Sequence, residues 1–189
     1  GMYCAHVNNI AYLIRSHRTN TKDMRNIIES LSDTERLKYD YDLLEQKYVD
    51  YQNKVVDDEQ TLKTLQGELA ERNVLLILPG KTIVEQRDVI DKYISEYDPV
   101  IIGVNAINET YHYDYLFFSN NIRYDYAGEI FPDTFSKTKR IVTSNVKTAG
   151  EAGEYIVNFN LLVKRGWEHF DNSGLMCLRL MNKLRVSNV

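Results

Sequence analysis

The stretch NVLLILPGKTIVEQRDVI, residues 73–90, decides how this chain reads. Five consecutive aliphatic residues, Val74 to Leu78, run into a Pro-Gly turn. A segment with apolar residues at helical spacing then follows (Ile83, Val89, Ile90, Tyr93 and Ile94). A continuous apolar run of this length is what a parallel strand covered on both faces looks like. The same rhythm returns downstream. VIIGV (100–104), YDYLFF (113–118), RIVTS (140–144) and EYIVNF (154–159) read as further buried strands. GLMCLRLMNKL (174–184) reads as a helix, and VSNV (186–189) as the first half of another strand. Short buried strands alternating with helices predict an α/β fold over residues 73–189, Rossmann-like, with a mainly parallel, doubly wound sheet.

Residues 1–72 read as an N-terminal helical segment. NNIAYLIRSH (8–17), NTKDMRNIIESL (20–31) and the aromatic stripe Leu37, Tyr41, Leu44, Tyr48 and Tyr51 all carry helical periodicity. DDEQTLKTLQGELAERN (57–73) opens with acids, which suit the positive end of a helix, and carries Leu62, Leu65 and Leu69. Such amphipathic helices make a thin core alone, so their apolar faces require a partner.

Composition narrows the function classes. Of 189 residues, 43% are hydrophobic and 26% charged, as in an ordinary soluble globular protein. The net charge is -4, and no run of clustered Lys/Arg supplies the counterion displacement that nucleic-acid binding needs, so no nucleic-acid partner is expected. No apolar run approaches the ~20 residues of a membrane span, and no signal peptide is visible, so the expected compartment is the cytoplasm. Gly1 ahead of Met2 reads as a residue left by tag cleavage. Cys4 and Cys177 are far apart, and with four scattered His they form no metal-ligand spacing. Buried reduced thiols are the expectation, and no metal.

In an open parallel sheet, ligands bind beyond the carboxyl ends of the strands. Pro79-Gly80-Lys81-Thr82 follows the first strand. Gly80 permits a tight turn, Lys81 adds a charge, and Thr82 can cap the next helix or touch a phosphate. The spacing is neither G-x-x-x-x-G-K-[ST] nor G-x-G-x-x-G, so a plain turn with a Thr cap is the safer reading of this loop alone. Asn105 ends the second strand with a donor and an acceptor, but Asn is also a common turn-former. Ser119, Asn120, Asn121 and Arg123 follow the third strand, with Arg123 a candidate for a phosphate or carboxylate. Asn172-Ser173-Gly174 opens the last helix with amide, hydroxyl and bare backbone, or simply caps it. His112 and His169 are candidate acid/base groups, and neither assembles a catalytic set. A binding pocket is better supported than a catalytic one.

Two resemblances add to this. From AHVNNIAYL (5–13) through PGKTI (79–83), and on through IIGVN and DYLFFSNNIRY, the chain resembles the region after the barrel in certain bacterial aldolases. These belong to the HMG-CoA-lyase-like, 4-hydroxy-2-oxovalerate-aldolase-like group. The resemblance implies a non-catalytic accessory or regulatory C-terminal domain. Its partner would be an N-terminal TIM barrel of the same protein, and that barrel would carry the divalent metal and the catalytic residues, leaving this part without a cofactor. It also implies that RVSNV leads into a further strand, and that self-association into a homodimer covers the edge otherwise left open. The second resemblance is local. Strand-PGKT, the strand-end Asn105 and NSGLMCL are similar to the loops of bacterial sialyltransferases that hold the CMP moiety. That implies a nucleotide or sugar-nucleotide ligand at Gly80, Lys81, Thr82, Asn105, Asn120, Arg123, Asn172, Ser173 and Gly174. An accessory domain, a nucleotide-sugar-dependent transferase module and a pure assembly module remain open at this point.

Overall fold

The computed structural model describes residues 54–148, 150–164 and 171–189. The candidate helices before residue 54, along with Cys4 and His169, lie outside the described residues. Five strands form one parallel sheet in the order β1 to β5: β1 (Val74–Ile77), β2 (Val100–Val104), β3 (Tyr115–Phe118), β4 (Lys139–Thr143) and β5 (Glu154–Val157). Helices α1 (Glu59–Leu69), α2 (Thr82–Glu85), α3 (Arg87–Tyr97), α4 (Asn121–Ile130), α5 (Pro132–Lys137), α6 (Phe159–Leu162) and α7 (Ser173–Lys183) flank it. The fold is α/β and Rossmann-like, as the alternation of apolar runs and helical segments predicts.

Each aliphatic run places alternate side chains on opposite faces. Val100, Ile102 and Val104 join Phe117 and Ile141 under α1 and α7, where Leu65, Leu69, Met176, Cys177, Leu180 and Met181 close the layer. Ile101, Leu116, Phe118 and Val142 point the other way. They meet Ile90 and Ile94 of α3, Tyr124 and Ala127 of α4, and the aromatic rings of Phe131 and Phe135. Every residue of β2 and β3 is buried. Right-handed crossovers require a chain advancing from β1 to β5 to keep its connections on one face and to return over the other. The chain does so. After β5 it crosses by α6 and α7 and reaches the outer side of β1, where Asn188 pairs in parallel with Asn73.

Three strands are shorter than the apolar runs suggest: β1 stops one residue before Leu78, and β3 and β5 are each two residues shorter for visible reasons. Tyr113 and Asp114 belong to the loop before β3. The Asp114 N–H donates to the Ile101 carbonyl at 3.0 Å, but its carboxylate takes the Ile101 N–H at 2.8 Å and the Tyr113 hydroxyl bonds the Asn108 backbone, so side chains take up part of the pairing there. β5 stops at Val157 because Asn158 turns to Val56 and Asp58. Its side chain bonds the Val56 N–H and C=O, and its own N–H meets the Asp58 carboxylate. These bonds also fix the chain leading into α1. Leu65 and Leu69 therefore lie in the core of this α/β unit rather than on a free face.

Charge gathers at the amino ends of the strands. Arg140, 1% exposed, bonds Glu151, Glu154 and the Phe135 carbonyl, and its guanidinium lies over the Phe135 ring. Glu154 also accepts the Tyr124 hydroxyl. Glu68 of α1 accepts from Lys139 and from the Tyr115 hydroxyl, clamping α1 to β3 and β4. A buried arginine is tolerable only when it is satisfied in this way.

Gly103 is required by close packing. A Cβ there would lie 2.9 Å from the Tyr113 ring, 3.0 Å from the Ala106 carbonyl oxygen and 3.0 Å from Leu116. Because one of these neighbours is backbone, Gly103→Ala is expected to cost about 1–3 kcal/mol of stability by overpacking. Urea unfolding measures it; an unchanged midpoint would show that the loop yields freely.

Candidate functional site

The carboxyl ends of β2 and β3 meet the start of α7. β2 ends on Asn105, held at φ 53 in the left-handed region, where Asn is among the few tolerated side chains. Its N–H donates to the Phe117 carbonyl at 2.8 Å. The twist aims its side chain across the sheet end. The Asn105 carbonyl oxygen accepts the Ser119 N–H at 3.1 Å, and its amide donates to the Ser173 hydroxyl at 2.5 Å. The Ser119 and Ser173 hydroxyls are 2.6 Å apart. Two strand ends and a helix start are thus tied through one amide and two hydroxyls.

The polar strip continues over β4. Asn145 donates to the Ser119 carbonyl at 3.2 Å, and Thr143 donates to the Asn145 side-chain oxygen at 2.5 Å. Asn121 donates to the Asn145 carbonyl at 3.2 Å and accepts the Lys147 N–H at 2.6 Å. Every side chain in this strip is neutral. Hydroxyls and amides serve as donor or acceptor alike, which suits ribose, sugar or base edges.

α7 begins close against β1. Asn172 caps it, accepting the Leu175 N–H at 2.9 Å. Gly174 is buried beneath Leu78; a Cβ at this position would lie 2.5 Å from the Leu78 Cδ2. The opening N–H groups of a helix have no intrahelical acceptor, and those of Ser173 and Gly174 have none among the described residues. Behind the cap, Asp171 accepts from Arg179 at 2.5 and 3.1 Å and from the Lys164 N–H at 2.7 Å. Burial pushes the Asp171 carboxyl up, but these bonds outweigh it and hold the group below its ordinary value.

The structure thus brings Asn105 directly to Ser173, with Asn172 and Gly174 beside them. The other predicted residues take different places. Gly80 is exposed and its backbone is not left-handed, so the turn makes no demand for glycine. Lys81 occupies the cap position of α2, 88% exposed, and pairs with Glu85 at 2.9 Å. Thr82 starts α2 without a capping bond. A helix of four residues has little dipole to offer a phosphate. Asn120 caps α4 by accepting the Arg123 N–H at 3.1 Å, and the Arg123 guanidinium has no carboxylate partner among the described residues. His112 is exposed. Sequence reasoning missed Thr143 and Asn145. The strand-end rule applied to the end of the fourth strand, at Thr143-Ser144-Asn145, would have found them.

Among the described residues no group of three His, Cys, Asp or Glu side chains gathers as a metal site, and no helix is long and apolar enough to cross a membrane. Cys177 is buried without a disulfide partner, and burial pushes its thiol well above the ordinary range. Comparison with family models, curated proteins and solved structures returns no match.

Two outcomes follow from this geometry. Asn105→Ala loses two hydrogen bonds and puts alanine in a left-handed conformation, for an expected cost of about 2–3 kcal/mol in urea unfolding. Asn105→Gly should recover about 1 kcal/mol of that by removing the backbone strain alone; equal losses would place no strain at this turn. The second concerns pH. The folded-state value of Asp171 is depressed, so its contribution is present above the unfolded value near 3.8 and is lost as pH falls through the folded value. The stability gap between the native chain and Asp171→Asn should therefore be flat at neutral pH and shrink in acid; a gap independent of pH would contradict it.

Proposed function

We propose that this chain is a ligand-binding accessory domain rather than a self-sufficient enzyme. It takes a nucleotide or sugar nucleotide at the carboxyl ends of β2 and β3. The neutral strip holds the hydroxyl- and amide-bearing part of the ligand, and the anionic part faces the start of α7, whose dipole and N–H groups favour negative charge. The observation that carries this reading is the three-way contact of Asn105, Ser119 and Ser173. It joins a strained strand end to a helix N-terminus at the place where open α/β sheets bind ligands.

Among the described residues, no imidazole or carboxylate bonds to Asn105, Ser119 or Ser173. A transfer reaction needs such an acid or base within about 3 Å of the reacting atom, so binding is the simpler role. The resemblance to the post-barrel region of bacterial aldolases supports an accessory or regulatory place beside an N-terminal TIM barrel of the same protein. In that arrangement the metal and the lyase chemistry belong to the barrel, and the ligand bound here adjusts or stabilises it.

A thermal-shift and calorimetric titration with CMP, UDP and their sugar conjugates tests the reading. Ligand at a hundred times its dissociation constant stabilises a fold by about 2.7 kcal/mol. Ser173→Ala should weaken binding about threefold to tenfold, the worth of one neutral hydrogen bond. Lys81→Ala should leave it unchanged, because that side chain points to solvent and Glu85. Loss of binding with Lys81→Ala but not Ser173→Ala would move the site to the first loop. No binding of any nucleotide by the folded chain would remove the proposal.

A further inference from the structure

The chain enters α1 across the site end of the sheet. Residues 54–58 pass over the carboxyl ends of β4 and β5, and side chains rather than a ladder hold them there. The Ser144 hydroxyl donates to the Lys54 carbonyl at 2.6 Å and accepts the Phe159 N–H at 3.1 Å. The Asn158 carboxamide accepts the Val56 N–H at 2.8 Å and donates to the Val56 carbonyl at 2.6 Å. The buried Asp58 carboxylate accepts the Asn158 N–H at 2.8 Å. Beyond Asp58 the burial of Leu65 and Leu69 fixes α1. The segment is thus firm at one end and tied at Ser144 near the other.

Ser144 belongs to a turn that also serves the polar strip. The Val146 N–H donates to the Thr143 carbonyl at 2.9 Å, closing a β-turn whose central residues are Ser144 and Asn145. Ser144 holds residue 54, and Asn145 holds the Ser119 carbonyl. Thr143, at the start of the turn, bonds Asn145 and the Phe118 carbonyl. The two central residues share one planar peptide, so a rotation that frees Ser144 re-aims Asn145.

We propose that residues 54–58 are a strap whose closed state is the binding-competent one. A ligand seated on the strip favours the closed strap, and an opened strap slackens Asn145 and weakens the ligand. Such coupling requires only that the ligand prefer one of two states, and it acts equally in both directions. It rests on the nucleotide reading for its ligand half, whereas the tie between strap and strip is testable without ligand.

Trypsin reads the strap, because the carbonyl it attacks after Lys54 is the one that Ser144 holds. The full chain is digested briefly, and mass spectrometry follows the fragment that begins at Val55. Cleavage after Arg140, 1% exposed within β4, reports global unfolding. Without ligand, Ser144→Ala should speed cleavage after Lys54 about tenfold, the worth of one strong neutral hydrogen bond. Asn145→Ala, on the strip side of the turn, should speed it about threefold. No change with Asn145→Ala, or an equal rise after Arg140, would overturn the inference. Saturating CMP or UDP should slow cleavage after Lys54 about fivefold or more, beyond any slowing after Arg140. Binding without that protection would overturn the strap alone; no binding of either nucleotide would overturn both readings.

Discussion

The site end of this domain depends on one residue held in an uncommon conformation. Asn105 turns left-handed at the end of β2, and that turn carries its amide across to β3 and α7. With an ordinary extended residue there, the side chain would follow the strand's alternation and reach neither Ser119 nor Ser173. The start of α7 would then keep only apolar contacts with the sheet, such as that of Gly174 with Leu78. Backbone strain at a strand end is tolerated where the surrounding bonds over-determine it, and here two strands and a helix do so.

The two ends of the sheet have opposite chemistry. At the amino ends charges are paired: buried Arg140 with Glu151 and Glu154, and the half-exposed Glu68 with Lys139 and Tyr115. These pairs hold α1, α5 and the β4–β5 turn in place. In the strip from Asn105 to Asn145 at the carboxyl ends the side chains are neutral and small, and their bonds can be exchanged for those of a ligand at little electrostatic cost. A helix N-terminus supplies the positive potential that the strip lacks. This division of labour, structural charge at one end and adaptable hydroxyls at the other, is what makes the Asn105–Ser119–Ser173 contact a recognition surface in our reading.

Much of the architecture was legible because strands of a parallel sheet covered on both faces read as short, nearly continuous apolar runs. VIIGV and the aliphatic core of VLLIL admit few other readings. Strand ends were less legible, since Asp114 and Asn158 satisfy backbone groups with side chains, and nothing in their local pattern distinguishes that from an ordinary strand or turn residue. The site divided in the same way. Asn105 and Ser173 were visible as polar residues at a strand end and a helix start. Their direct contact spans 68 residues of chain, and no local pattern encodes it. Lys81 drew attention by its likeness to a phosphate loop, yet the i,i+4 pair with Glu85 turns it outward. Thr143 reads as one more buried residue of the fourth strand, and Asn145 just beyond it has no partner in the sequence until β4 is placed beside β3.

The most direct test of the central claim is a residue-resolved amide NMR titration of the intact chain with a pyrimidine nucleotide. The account predicts that the largest shifts fall on Asn105, Ser119 and Ser173–Leu175, with Gly80–Ile83 little affected. Shifts centred on Gly80–Ile83, or none at saturating nucleotide, would contradict it.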